Sequence, residues 1–508
     1  MTPSSLVKLI NSLSPSEKRY FKLQSQVQNG DKEYLLLFDI MDSDDYIDIG
    51  KVKAEFKNRS TRGSWENTCV YLSNMLVDSL VRAKKEKDIF FDLLHQIQEV
   101  KILKERSLEQ EAFKQIKKVQ QKAAQFQLHW IEYYCYRYEL NFHADNNFPG
   151  LNDDNLIKLQ MKGKDVLKSM NHIHDHYSLY EVLKYRLIHS GKIISEEGKK
   201  KLNDLVLSEM VLVAGKSKSF SSQKLHLLFQ SFFFTDIGDY PSALKSFYQL
   251  NELLEKNEAF IDNPPLDYLS ALLGIMESLR MLGNSSEVPY YLDKLKRLDQ
   301  NIHPEYFRYL VRKTFSTQQI VSLLAVDQLN EASKFLDTIP IDVFDNYAMV
   351  DEEKQCELYF FSSLVHFKLG NLRKSHLFLR EIMNTLKLPE QLLVSKAIRL
   401  LNILVYFEKG ELIHLEYEIR SYKRFFLQSR SLKIEKLLFK IIASSSANRR
   451  IRLMPAAQRK ILNELDSIKT DRYEQQLLRY FDFSVWTKNL VQGKGYKADT
   501  ISKKEKSF

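Results

Sequence analysis

Apolar residues recur along most of the chain at intervals of three and four, the spacing that lines one face of a helix. From Lys224 to Tyr422 the pattern itself recurs. Aligned on a turn residue, its units fall at Gly238, Gly283, Asp327, Gly370 and Gly410, separated by 45, 44, 43 and 40 residues. A glycine just past a helix end takes the left-handed conformation that satisfies the last carbonyls, and Asp tolerates it next best. Five residues beyond each turn stand Ala243, Val288, Ala332, Ser375 and Leu415, where two helices approach closely. Phe247, Leu292, Leu336, Leu379 and Ile419 follow, and then Leu250, Leu295, Ile339, Ile382 and Tyr422. Each unit is thus predicted to be two helices about a short turn. The stripe on its second helix has nothing to bury it except the next unit.

The segment Gly238-Asp239-Tyr240-Pro241-Ser242-Ala243-Leu244, with Phe247, resembles the middle of a tetratricopeptide repeat. The resemblance covers about two fifths of the chain, and the period exceeds the roughly 34 residues usual there. HEAT-like units of about 40 to 47 residues stay open as the alternative. Either way the fold class expected is all-α, a right-handed solenoid of antiparallel helix pairs. In tetratricopeptide-like arrays the first helices line the concave side. Here those helices carry Phe360, Phe361, Leu364, Val365 and Phe367, then Leu400, Leu401, Ile403, Leu404, Val405 and Phe407, apolar in almost every direction. Such helices are buried all round. Closure of that side by the C-terminal helices is the favoured reading, and an apolar groove awaiting a peptide is the other. If the groove is open, Glu277, Arg280, Phe360, Phe367 and Leu404 are the partner-binding residues.

Five segments are predicted. Residues 1–90 form a helical entry, whose start at Ser14, Pro15 and Glu17 has the composition of a capping box. Its helices lie near 15–25, 32–42 and 50–58. The basic turn 58–63 leads to a long helix from Trp65, a pair that could read DNA, although Cys69, Leu72, Leu76 and Leu80 favour packing. Residues 91–220 form degenerate helical hairpins: a pair over 88–143, the loop His143–Asn155, then helices near 155–170, 176–190 and 195–214. Trp130, Tyr133, Tyr134, Tyr136 and Tyr138 crowd one helix as core. His172 and His176 fall in an expected turn, with a spacing a metal could use but without the acidic and third ligands. The array takes 221–428, a helical cap with Tyr480, Phe481, Phe483 and Trp486 takes 429–492, and a disordered basic tail takes 493–508.

Composition changes this picture in two places. Three cysteines without paired spacing argue against a disulfide framework or a cysteine metal site and point to a cytoplasmic setting. No secretory leader or membrane span is expected. The net charge of +10 is concentrated, since Ile419–Lys460 holds twelve basic residues against one acidic. Arg420, Lys423, Arg424, Arg430, Arg449, Arg450 and Arg452 form this basic patch, able to recruit an anionic partner. No catalytic motif, phosphate loop or cofactor site is recognised, so the chain reads as a scaffold for a protein or peptide, not an enzyme. The alternative is a DNA-associated regulator using the N-terminal helices or the 419–460 patch.

Overall fold

Glycine, proline and polar clusters break the apolar spacing at intervals, and almost everything between the breaks is helix. A computed structural model of the chain describes residues 1–27, 33–43, 48–60, 64–85, 87–190, 195–213, 219–261, 264–300, 304–344, 352–385, 390, 392–427, 429, 431–444 and 455–493. Among these residues there is no strand, and no helix is long and apolar enough to cross a membrane. The predicted basic tail from residue 494 onward lies outside them. The chain divides into two compact units, Met1–Asn171 and His172–Phe508.

The first unit opens with α1 (Pro3–Asn11), α2 (Pro15–Val27), α3 (Glu33–Asp42), α4 (Ile49–Arg59) and α5 (Trp65–Lys85). The Glu17 N–H donates to Ser14 Oγ at 3.3 Å, and Glu17 Oε2 accepts from the Ser14 N–H at 2.8 Å, the reciprocal box expected at the start of α2. Helix α5 buries Trp65, Cys69, Leu72 and Leu76 in one core with Leu37, Phe38 and Phe56. Its apolar face is committed to packing. The intervening residues 61–63 are outside the described residues.

Next come α6 (Ile89–Glu105), α7 (Glu109–Gln125) and α8 (His129–Asp145), each of 17 residues. The stretch expected as one pair is therefore three helices. They end on Ser107, Gln127 and Asn147, all with positive φ, at 60°, 52° and 59°. On α8, Cys135 is buried and Tyr133, Tyr136 and Tyr138 are half-buried, but Trp130 and Tyr134 are exposed. The aromatic helix is core on one side only. After residues 146–152, α9 (Asp153–Ser190) runs for 38 residues without a break, and the boundary between the units falls within it. The turn expected at 171–176 does not exist, because that stretch contains neither glycine nor proline to stop the helix.

The second unit continues with α10 (Glu196–Lys200) and α11 (Asn203–Val213). The recurring turns follow. Helices α12 (Phe220–Asp236) and α13 (Tyr240–Lys256) flank Gly238, and α14 (Leu266–Met281) and α15 (Val288–Gln300) flank Gly283. Asp327 separates α16 (Glu305–Ala325) from α17 (Leu329–Leu336). Gly370 separates α18 (Glu352–Lys368) from α19 (Leu372–Thr385), and Gly410 separates α20 (Leu393–Lys409) from α21 (Leu412–Phe425). At all five, φ lies between 57° and 78°. The turn N–H donates to the carbonyl three residues back, and the next N–H to the carbonyl five back. At the first turn these are Gly238 to Thr235 at 3.2 Å and Asp239 to Phe234 at 2.9 Å.

The fifteen stripe positions beyond these turns are buried, except that Ile419 is half-buried. Fully burying a Leu, Val or Phe contributes about 1.5–3 kcal/mol, so the stripes are the main cohesive force between neighbouring helices. Gly274 lets α14 close on α13, since a Cβ there would stand 2.2 Å from the Phe247 ring. The chain then forms α22 (Lys433–Ala443), α23 (Pro455–Thr470), α24 (Arg472–Leu478) and α25 (Phe483–Val491). These helices share one core with α16 to α21.

Candidate functional site: the face covered by the C-terminal helices

Phe360, Phe367 and Leu404 carry no polar atom and sit on helices α18 and α20, which are apolar on nearly every side. They need a cover, and the chain's own C-terminal segment provides it. The Phe360 ring meets Tyr480 edge-on at 5.8 Å, Phe367 meets Phe481 at 6.0 Å, and Phe407 meets Trp486 at 5.5 Å. The indole N–H of Trp486 donates to Glu408 Oε1 at 3.1 Å, so the ring's one polar atom is satisfied. Phe360, Phe367 and Leu404 are at most 1% exposed. The residues named for an open groove thus lie beneath α24, α25 and the link between them.

Glu277 and Arg280, four and one residues from the end of α14, meet that link. Arg479 is 5% exposed and directs Nη1 to Glu277 Oε1 at 2.5 Å and Nη2 to Glu353 Oε1 at 2.6 Å, with Glu357 Oε1 at 3.8 Å. The Tyr480 hydroxyl donates to Glu353, and Arg280 Nη1 donates to the Arg479 carbonyl at 2.5 Å. Burial by itself would lower the Arg479 pKa, but the charges of Glu277 and Glu353 outweigh it and hold the guanidinium cationic, with a pKa well above its ordinary value. Arg280 is lowered, first by burial and then by Arg479, with Glu277 opposing. A buried charge persists only when paired, and this one is paired several times over.

Helix α24 also seats on the first recurring turn. Gln476 Nε2 donates to the carbonyls of Thr235 at 3.2 Å and Asp236 at 3.3 Å, and the Tyr240 hydroxyl donates to Gln476 Oε1 at 3.2 Å. On its other side Glu474 accepts from the Lys433 and Ile434 N–H groups at 2.7 and 3.2 Å, capping α22. Burial raises the Glu474 carboxyl, which those two donors only partly oppose. The local sequence marks Tyr480, Phe481, Phe483 and Trp486 as a docking cluster. It gives no sign of Gln476, Glu353 or Glu357. Arg479 inside the run Leu477-Leu478-Arg479-Tyr480-Phe481 was the one available clue, a cation with no exposed neighbour.

His172 and His176 share a face of α9, but it is His176 together with His226 of α12 that meets a carboxylate. His226 Nδ1 lies 2.5 Å from Glu209 Oε1, and His176 Nδ1 lies 3.7 Å from Oε2. His172 Nδ1 stands 3.2 Å from Ser222 Oγ. Burial would raise Glu209, but the neighbouring His176 and the hydrogen bond with His226 overcome it and hold the carboxyl below its ordinary value. Among the described residues no group of three or more His, Cys, Asp or Glu is arranged to hold a metal ion. The thiols of Cys69 and Cys135 are pushed up to about 11 and about 12 by burial, so neither is a thiolate at neutral pH.

The basic patch is partly visible. Arg420 pairs with Glu416 at 3.3 Å, Lys423 Nζ lies 5.7 Å from the centre of the Phe439 ring, and Arg424 is exposed. Arg430, Arg449, Arg450 and Arg452 lie outside the described residues. No family model and no curated protein matches the chain.

Proposed function

We propose that this chain is a non-enzymatic scaffold, a right-handed solenoid of antiparallel helix pairs related to tetratricopeptide arrays, that binds a protein or peptide partner through its helical surface. The observation that carries this reading is the C-terminal segment itself. A short helical stretch lies on the first helices of the array, anchored by one arginine among carboxylates and by aromatic rings, as an amphipathic helix lies in a groove. The array is thus a surface that holds helices. Because its own C-terminal helices fill that face, a partner meets the outward side of the second helices instead. The three buried cysteines, without any paired spacing in the sequence, fit a reducing cytoplasmic setting. The alternative, a DNA-associated regulator, rests on the N-terminal helices or the 419–460 basic patch, although α5 spends its apolar face on the core. The test is affinity capture on the full chain followed by cross-linking and mass spectrometry. The reading expects a protein whose cross-links fall on exposed lysines of the second unit. Recovery of nucleic acid alone, or of nothing beyond what an unrelated helical protein captures, overturns it.

A further inference from the structure

Second helices of the array bury one stripe and expose the other, and the exposed one is expected to be polar. On α19 and α21 it is not. Leu377 is 54% exposed, Ile413 86% and Tyr417 67%. Ile413 and Tyr417 are four residues apart on one helix, so they share its outward face. Cations stand among them: Arg380 follows Leu377 by three residues, Arg424 follows Tyr417 by seven, and both are exposed. On α22, Lys436 and Lys440 are exposed four residues apart.

The helices that carry these residues are linked by side-chain contacts. Tyr406 of α20 bridges the first two helices: its hydroxyl and His376 Nε2 are 3.0 Å apart, and its ring stacks on His414 at 5.5 Å. His376 adjoins Leu377, and His414 adjoins Ile413. Helix α22 joins through Phe439, whose ring packs on Tyr422 at 5.2 Å and lies under Lys423. Phe439 sits between Lys436 and Lys440. Arg380, Arg424, Lys436 and Lys440 have no ion-pair partner among the described residues. The acidic Glu416 on the same face is already paired with Arg420.

We infer that this outward face of α19, α21 and α22 is a docking surface for an acidic protein segment that carries aliphatic side chains. Unpaired cations supply the charge complementarity, and they steer an anionic partner into register. The exposed aliphatics decide between polyanions. A nucleic acid backbone offers Ile413 and Leu377 nothing to bury against, whereas leucines interleaved with glutamates cover them and meet the cations together. The inference rests on the scaffold reading and names its partner's chemistry.

The experiment uses the full chain and three probes: a labelled synthetic peptide of glutamates and leucines at helical spacing, labelled oligothymidylate, and phosphatidylserine–phosphatidylcholine vesicles. Fluorescence anisotropy is expected to show salt-sensitive peptide binding that weakens about tenfold or more in Arg380→Glu/Arg424→Glu, equivalent to about 1.4 kcal/mol. Similar weakening is expected in Ile413→Ser/Tyr417→Ser, while a peptide with serine for leucine binds poorly to the parent. All four side chains are exposed, so unchanged urea midpoints show that the variants fold. Peptide binding indifferent to both variants overturns the inference, as does tighter binding of oligothymidylate or vesicles. If affinity capture yields a protein whose binding neither variant disturbs, the scaffold reading survives and this surface does not.

Discussion

Gly238 and Gly283 occupy the same turn with the same backbone, φ 76° and 77°, and differ in what lies above them. At Gly283 an added Cβ meets nothing within 4 Å. At Gly238 it stands 2.9 Å from Gln476 Nε2 and 3.2 Å from the Arg472 carbonyl oxygen, both on α24. Replacing Gly283 with alanine therefore costs only left-handed strain, about 1–2 kcal/mol, offset by about 0.4–1 from the stiffer unfolded chain. Gly238→Ala bears that cost and also pushes Gln476 off the carbonyls of Thr235 and Asp236, about 0.5–1.5 kcal/mol for each bond. The expected excess of Gly238→Ala over Gly283→Ala is about 1–3 kcal/mol. Urea denaturation followed by Trp486 fluorescence, with Trp65 and Trp130 replaced by phenylalanine, measures it. In a Gln476→Ala background the excess shrinks. Equal losses for the two alanines, with or without Gln476, would refute the seating of α24 on the first turn.

Three other perturbations follow from particular contacts. Gly274→Ala gains about 1 kcal/mol of helix propensity, yet it drives a methyl to 2.2 Å from the Phe247 ring, so a net loss of about 1–3 kcal/mol in urea stability is expected, relieved in part by Phe247→Leu. Ser107→Gly relaxes a left-handed serine on an exposed turn and is expected to raise the stability of the first unit by about 0.5–1 kcal/mol, read from Trp65 and Trp130 fluorescence in urea. Glu209 has a folded pKa below its unfolded value of 4.5, so its stabilising effect is present above that pH and lost as pH falls through the folded value. The urea midpoint should drop below pH 4.5, and Glu209→Gln should flatten that part of the profile; an unchanged slope in the variant contradicts the assignment.

The five array turns were legible because glycine and aspartate advertise a left-handed residue, and all five take positive φ. Three more turns use the same pair of hydrogen bonds, and only the last, inside the expected loop 143–155, was legible. Ser107, Gln127 and Asn147, spaced twenty residues apart, give Leu108 to Leu103, Leu128 to Ala123 and Phe148 to His143, at 2.9, 2.9 and 2.7 Å. Ordinary side chains forced into that conformation leave no mark on composition, so three helices read as two. The stretch around His172 failed in the opposite sense, since polar and histidine-rich residues resemble a turn but contain nothing that breaks a helix. The apolar cover was foreseeable from Phe481, Phe483 and Trp486. Its polar lock was not, because Glu277 and Arg479 are 202 residues apart and only tertiary packing brings them together.

The most direct measurement of the central claim, that the C-terminal helices cover α18 and α20, is the state of Trp486 in the full chain lacking the other two tryptophans. Its ring is 2% exposed beside Phe407 and bonded to Glu408, so blue-shifted emission that acrylamide barely quenches is expected. Red-shifted, freely quenched emission under native conditions would contradict the account.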